Sequence, residues 1–172
     1  MDIPEWVVQS GSLGSPHQTL TRLVSFSHLN HIFQARILNF FDQGIISLMP
    51  RIFLILGAIN AFLCVAFGAF GAHGLKLRLS AEMLSVYQTG VQYHFYHALG
   101  LIVVGLVLLN FPESKSVALA GWLMLAGIVL FSVSLYALSL TGIRELGAIT
   151  PLGGIAFLSA WVLLAYGVRA NK

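Results

Sequence analysis

Between Arg51 and Lys172, four long runs without a charged side chain alternate with short polar punctuation. At a rise of 1.5 Å per residue, about 20 apolar residues cross a hydrocarbon layer of about 30 Å, so each run is long enough for a membrane-spanning helix. The predicted spans are 52–72, closed by the turn His73-Gly74-Leu75-Lys76; 93–111, the apolar part of the uncharged stretch from Met83 to Pro112; 117–140, between Lys115 and Arg144; and 151–168. The last opens on Pro151, a residue at home in a first helical turn, and closes before Arg169. The pattern predicts an all-α integral membrane protein, an antiparallel bundle of four transmembrane helices. Between the first two spans, Ser80 is suited to cap a helix with Glu82 in its first turn, and the mixed stretch 83–88 predicts a short interfacial helix. Pro112-Glu113-Ser114 and Thr141-Gly142 read as turns, and Thr150 as the cap of the last span.

Residues 1–48 break the pattern. They hold three of the six histidines and set Arg22 and Arg36 against Asp2, Glu5 and Asp42, with no span-length apolar run. Met49-Pro50-Arg51 resembles a start, a basic residue feeding an apolar helix, which would leave 1–48 outside the fold as an upstream-start artefact. The alternative is an interfacial helix, because Leu23, Phe26, Leu29, Phe33, Ile37 and Phe41 recur every three or four residues. The membrane domain is therefore 49–172. Its first span ends on Ala-Phe-Gly-Ala at 69–72, which resembles a signal cleavage site, but the run is longer than the 7–15 residues of a typical signal h-region and reads as an uncleaved anchor.

Composition narrows the function classes. Of 172 residues, 58% are hydrophobic and 9% charged, against roughly 25% charged in globular domains, so lipid is the solvent for most of the chain. Cys64 is the lone cysteine, which excludes a disulfide scaffold. The net charge of +3 is spread singly between apolar runs, where nucleic-acid binding needs a basic patch. Counting Lys and Arg near the spans, Arg51, Lys115, Arg169 and Lys172 stand against Lys76, Arg78 and Arg144, a bias towards both termini being cytoplasmic.

Packing inside lipid depends on small residues and interhelical hydrogen bonds. Small residues recur at intervals of seven, as Ala98 and Gly105, as Ala120, Gly127 and Ser134, and as Gly153, Ala160 and Gly167. Such a period keeps one stripe facing a partner in a left-handed bundle. Gly57, Ala61, Gly68 and Ala72 add a stripe on the first span, and Gly71 and Gly154 are further packing candidates. Tyr87, Tyr93, Tyr96, Trp122, Tyr136, Trp161 and Tyr166 read as aromatic belts at the headgroups.

Candidate chemistry gathers around His73 and the segment Gln92, Tyr93, His94, Tyr96 and His97. His94 and His97 share a helix face and could bind one metal with His73 as third ligand; the alternative is interfacial histidines bonded to carbonyls and tyrosines. The sequence shows no cofactor motif: the glycines from Gly68 to Gly74 lack the strand and the Lys-Ser/Thr ending of a phosphate loop. Asn60, Ser132, Ser134 and Ser139 are expected to face the bundle interior, and the predicted spans hold no ionisable group at mid-depth, which argues against a proton-coupled pump.

Four segments resemble the YgdD-like family of small bacterial inner-membrane proteins of unknown function: Gly68-Ala69-Phe70-Gly71-Ala72-His73-Gly74-Leu75, Tyr87-Gln88-Thr89-Gly90-Val91-Gln92-Tyr93-His94-Phe95-Tyr96-His97-Ala98-Leu99, Leu130-Phe131-Ser132-Val133-Ser134-Leu135-Tyr136, and Ile149-Thr150-Pro151-Leu152-Gly153-Gly154. Val133, and Ala160 before Trp161, stand where glycine is common in that family. The resemblance implies a multi-span inner-membrane protein and supplies no activity or catalytic residue. The functions that follow are a non-enzymatic scaffold partnered by the bilayer and by copies of itself or other membrane proteins; a small-molecule or ion permeation unit; and a metal-dependent membrane enzyme on His73, His94 and His97.

Overall fold

The computed structural model describes residues 48–170, and the expectations for 1–47 and for Lys172 lie outside them. Four helices are long and apolar enough to cross a membrane: α1 (Leu48–Leu75), α2 (Ala81–Asn110), α3 (Lys115–Thr141) and α4 (Thr150–Ala170), the last entered through a 3₁₀ turn, Arg144–Ala148. Among the described residues there is no strand.

Local chemistry accounts for the ends. Ser80 sits in extended backbone and its hydroxyl accepts from the Met83 amide at 3.2 Å, while Glu82 lies in the first turn against the positive end of the helix dipole. α3 stops at Gly142, whose φ of +72° is the left-handed conformation that glycine adopts without strain, and its amide returns to the Leu138 carbonyl at 2.8 Å. Two segments widen to π-helix, Gly71–Leu75 at the end of α1 and Ile128–Val133 in the middle of α3.

The separate interfacial helix expected over 83–88 is absent: that stretch is the first part of α2. No proline interrupts Ala81–Asn110, so once Ser80 caps the helix nothing ends it before Asn110. At about 1.5 Å per residue α2 is roughly 45 Å long, more than a bilayer's hydrocarbon thickness, so its first turns reach the headgroup layer.

Consecutive helices run antiparallel and meet through small residues. On α4, a Cβ built at Gly153 would lie 2.5 Å from the Phe131 backbone nitrogen, and one at Gly167 2.5 Å from Val117 Cγ2; on α3, one at Gly127 would collide with the Phe157 ring. Ala120 and Ala160 are fully buried, and Ser134 meets Thr150 by a 3.1 Å bond between hydroxyls. On α1, a Cβ at Gly57 would sit 2.9 Å from the Ile102 amide nitrogen of α2, and one at Gly71 2.7 Å from the Tyr87 ring. Gly68 has only an ordinary 3.5 Å neighbour, and a Cβ at Gly154 would meet nothing within 4 Å, so that glycine is not a close-packing position. The main core centres on Phe53, Leu101, Leu108 and Met124, and a smaller one joins Leu75, Tyr87 and Tyr136.

The aromatic belts are partial. Tyr87 and Tyr136 are buried in the smaller core, where their hydroxyls find partners on other helices. Tyr93 and Trp161, both partly exposed, touch His97 near the middle of their helices rather than at a headgroup level. A buried hydroxyl with a bonding partner suits a tyrosine as well as a headgroup position does.

Candidate functional site

Because α2 is continuous from Ala81, its histidines lie deep within it. By the helical rise, His94 is about 20 Å from the Ala81 end, near the middle of the span. The expectation that the spans hold no ionisable group at mid-depth is therefore corrected: moving the start of the helix back to Ala81 carries His94 and His97 inward. Ionisable side chains at such depth face the bundle interior and find partners there. Both rings do, being 2% and 5% exposed.

His94 joins three helices. Its Nε2 is 3.0 Å from Asn60 Oδ1 on α1 and its Nδ1 is 3.2 Å from Tyr136 Oη on α3. Asn60 Nδ2 donates to the Leu56 carbonyl at 2.8 Å, so the oxygen of the amide is what faces the ring. A carbonyl oxygen only accepts, hence Nε2 carries the proton and Nδ1 accepts from the tyrosine. The network thus fits a neutral imidazole with the proton on Nε2. Two more bonds stitch α1 to α2 below it: the Cys64 thiol donates to the Val91 carbonyl at 3.1 Å, and Tyr87 Oη donates to the Phe67 carbonyl at 2.9 Å.

His97 is held in the opposite tautomer. Trp161 Nε1 on α4 can only donate, and it points at His97 Nε2 at 3.2 Å; His97 Nδ1 then donates to the Tyr93 carbonyl at 2.7 Å. The ring lies stacked on Phe157, which Gly127 admits by having no side chain. Asn60, His94 and Tyr136 therefore tie α1, α2 and α3, and His97 with Trp161 ties α2 to α4. Each is a hydrogen bond between spans, the kind of link that lipid favours.

His73 does not join them. It lies exposed in the π turn ending α1, and among the described residues no group of three or more His, Cys, Asp or Glu side chains is placed to hold a metal. A metal ligand needs a free imidazole lone pair, and the lone pair of each buried ring already accepts a hydrogen bond from Tyr136 or Trp161. Ser132, fully buried in the π segment of α3, is the buried hydroxyl without a partner among the described residues.

The family model described as "Protein of unknown function (DUF423)" matches residues 67–154, a little over half the chain and the part that holds His94, His97 and Tyr136. The chain belongs to this family. It is 59% identical over 114 residues to the UPF0382 membrane protein YwdK of Bacillus subtilis, covering 66% of this chain and 93% of that protein. It is 50% identical over 117 residues to a UPF0382 membrane protein of Staphylococcus saprophyticus, covering 68% of this chain and 96% of the relative. No solved structure matches. The chain is thus an integral membrane protein of a family whose function is unknown. Asn60 and Trp161, the partners of the two histidines, were readable as a polar residue inside a span and as a belt aromatic; pairing them needed the depth of α2.

Proposed function

We propose that this DUF423 protein is a non-enzymatic scaffold of the bacterial inner (plasma) membrane, with both termini cytoplasmic, acting by association with itself or with other membrane proteins. The observation that carries this reading is the division of polar groups on α2. His94 and His97 spend their ring nitrogens on links between spans, leaving no free base or ligand, while Gln92 and Tyr96, bonded to each other at 2.8 Å, stand exposed on the outer face. The count of Lys and Arg at the two ends of the bundle supports the orientation. The kinship with YgdD-like proteins, resting on the motifs from Gly68 to Leu75 and from Tyr87 to Leu99, belongs to the same proposal.

Crosslinking in native membranes, followed by identification of what is captured, tests it. A specific protein adduct is expected, and a chain captured only as monomer overturns the reading. A permeation unit is the second reading, favoured by two ionisable rings near mid-depth. It predicts flux across liposomes that falls in His97→Ala.

A further inference from the structure

Resting on that reading of an association protein, we propose that the partner is a second copy of this chain, seated on the outer face of α2 across a two-fold axis along the membrane normal, with Gln92 paired to its own equivalent. Ser85, Gln88, Gln92 and Tyr96 are all exposed on the bundle, at the three- and four-residue steps that place them on one side of α2. Tyr96 Oη takes one N–H of Gln92; the second N–H and the amide oxygen have no hydrogen bond among the described residues, nor has the Gln88 amide.

Depth makes this face unusual. α2 runs between Glu82 and Glu113, and Gln92 and Tyr96 lie within about 10 Å of the midpoint by helical rise. A primary amide facing acyl chains there has no water to bond to, and each unmade bond is costly. Covering the face with a surface that returns those bonds removes the cost.

Two features choose the occupant. A primary amide is both donor and acceptor, so two glutamines form a reciprocal pair, the N–H of each on the oxygen of the other. A two-fold axis along the membrane normal conserves depth, so the same patch serves both copies and a residue beside the axis meets its own equivalent, as in an isologous interface. Beside Gln92, a groove of about 250 Å³ lies between Gly68, Gly71 and Ala72 of α1 and Gln88, Val91 and Gln92 of α2. That is smaller than the roughly 300–1,000 Å³ of small-molecule sites, and the half-buried Gly68 and exposed Ala72 of its α1 wall leave room for the approach of a partner helix.

The test uses the full chain, in a Cys64→Ser background, reconstituted in liposomes at rising lipid dilution. Homodimer fraction is read by single-molecule photobleaching, and proximity by a short bis-maleimide on Gln88→Cys, with the exposed Val162→Cys of α4 as the control face. A crosslinked band of twice the chain mass is expected from Gln88→Cys and not from Val162→Cys. Gln92→Leu is expected to weaken dimerisation roughly three- to tenfold, the range of interhelical side-chain hydrogen bonds in membranes, while leaving thermal unfolding of the bundle unchanged. Gln88→Leu repeats the comparison if the first variant folds poorly. Monomers at all dilutions, or an unchanged dimer in both leucine variants, overturn the proposal. If Gln88→Cys in native membranes captures a different protein instead, the second-copy proposal falls and the association reading stands; if it captures nothing, both fall.

Discussion

At the scale of single residues, the histidines of α2 show how a polar side chain is accommodated in lipid. Each imidazole has one proton and one lone pair, and each is given one acceptor and one donor: Asn60 and Tyr136 for His94, the Tyr93 carbonyl and Trp161 for His97. The roles of the partners impose opposite tautomers, Nε2–H on His94 and Nδ1–H on His97. Nitrogen NMR of ring-labelled protein should resolve two neutral imidazoles with reversed protonated and unprotonated nitrogens; two rings of the same tautomer would contradict the assignment. Tyr136→Phe removes the donor to His94 without changing shape. It should lower stability by about 0.6–2 kcal/mol, read by denaturation in detergent, and in a double-mutant cycle its effect should largely vanish in an Asn60→Ala, His94→Leu background. Full additivity would mean that the three residues do not act as a network.

At the scale of elements, the contact between α3 and α4 depends on what is missing from particular positions. The backbone of α3 passes where a Gly153 Cβ would be, whereas the neighbouring Gly154 faces open space. Gly153→Leu should therefore break up the bundle, seen as lost monodispersity and a large fall in melting temperature. Gly154→Ala should be neutral or stabilise by up to about 1 kcal/mol, because alanine is the better helix former. Equal damage from the two would contradict the packing. Gly127→Leu, driven into Phe157, belongs with the first class. The periodicity of apolar residues displayed the four helices, and the seven-residue spacing displayed Gly127, Ala160 and Gly153, since both are properties of a helix by itself. The start of α2 was not legible in the same way. Its first half is polar enough to pass for an interfacial segment, and the burial of His94 and His97 in one long span depends on Asn60, Tyr136 and Trp161 arriving from other helices. The π segment Ile128–Val133 and the solitary hydroxyl of Ser132 gave no sequence signal, because they follow from how α3 accommodates its neighbours.

At the scale of the whole molecule, the bundle turns most of its hydrogen-bonding capacity inward and leaves one polar face outside. Apolar side chains such as Phe62, Leu158 and Val162 cover the α1 and α4 surfaces, as expected of surfaces that meet acyl chains. Even crossings bring the Leu48 and Ala170 ends to one side of the bundle, so reporters fused after Lys172 and inserted between Glu113 and Lys115 should report the same compartment, and one inserted between Thr141 and Arg144 the opposite one. Disagreement between the first two would remove a span.

The central claim is that α2 carries its histidines through the hydrocarbon layer, and labelling with a membrane-impermeant maleimide tests it most directly. Single cysteines at Glu82, Gln92, Phe95 and Glu113, in a Cys64→Ser background in native membranes, give the depth profile. The account predicts reaction at Glu82→Cys and Glu113→Cys from opposite sides, and protection at Gln92→Cys and Phe95→Cys. Reaction of Gln92→Cys as fast as Glu82→Cys would place His94 and His97 at the water interface and contradict the account.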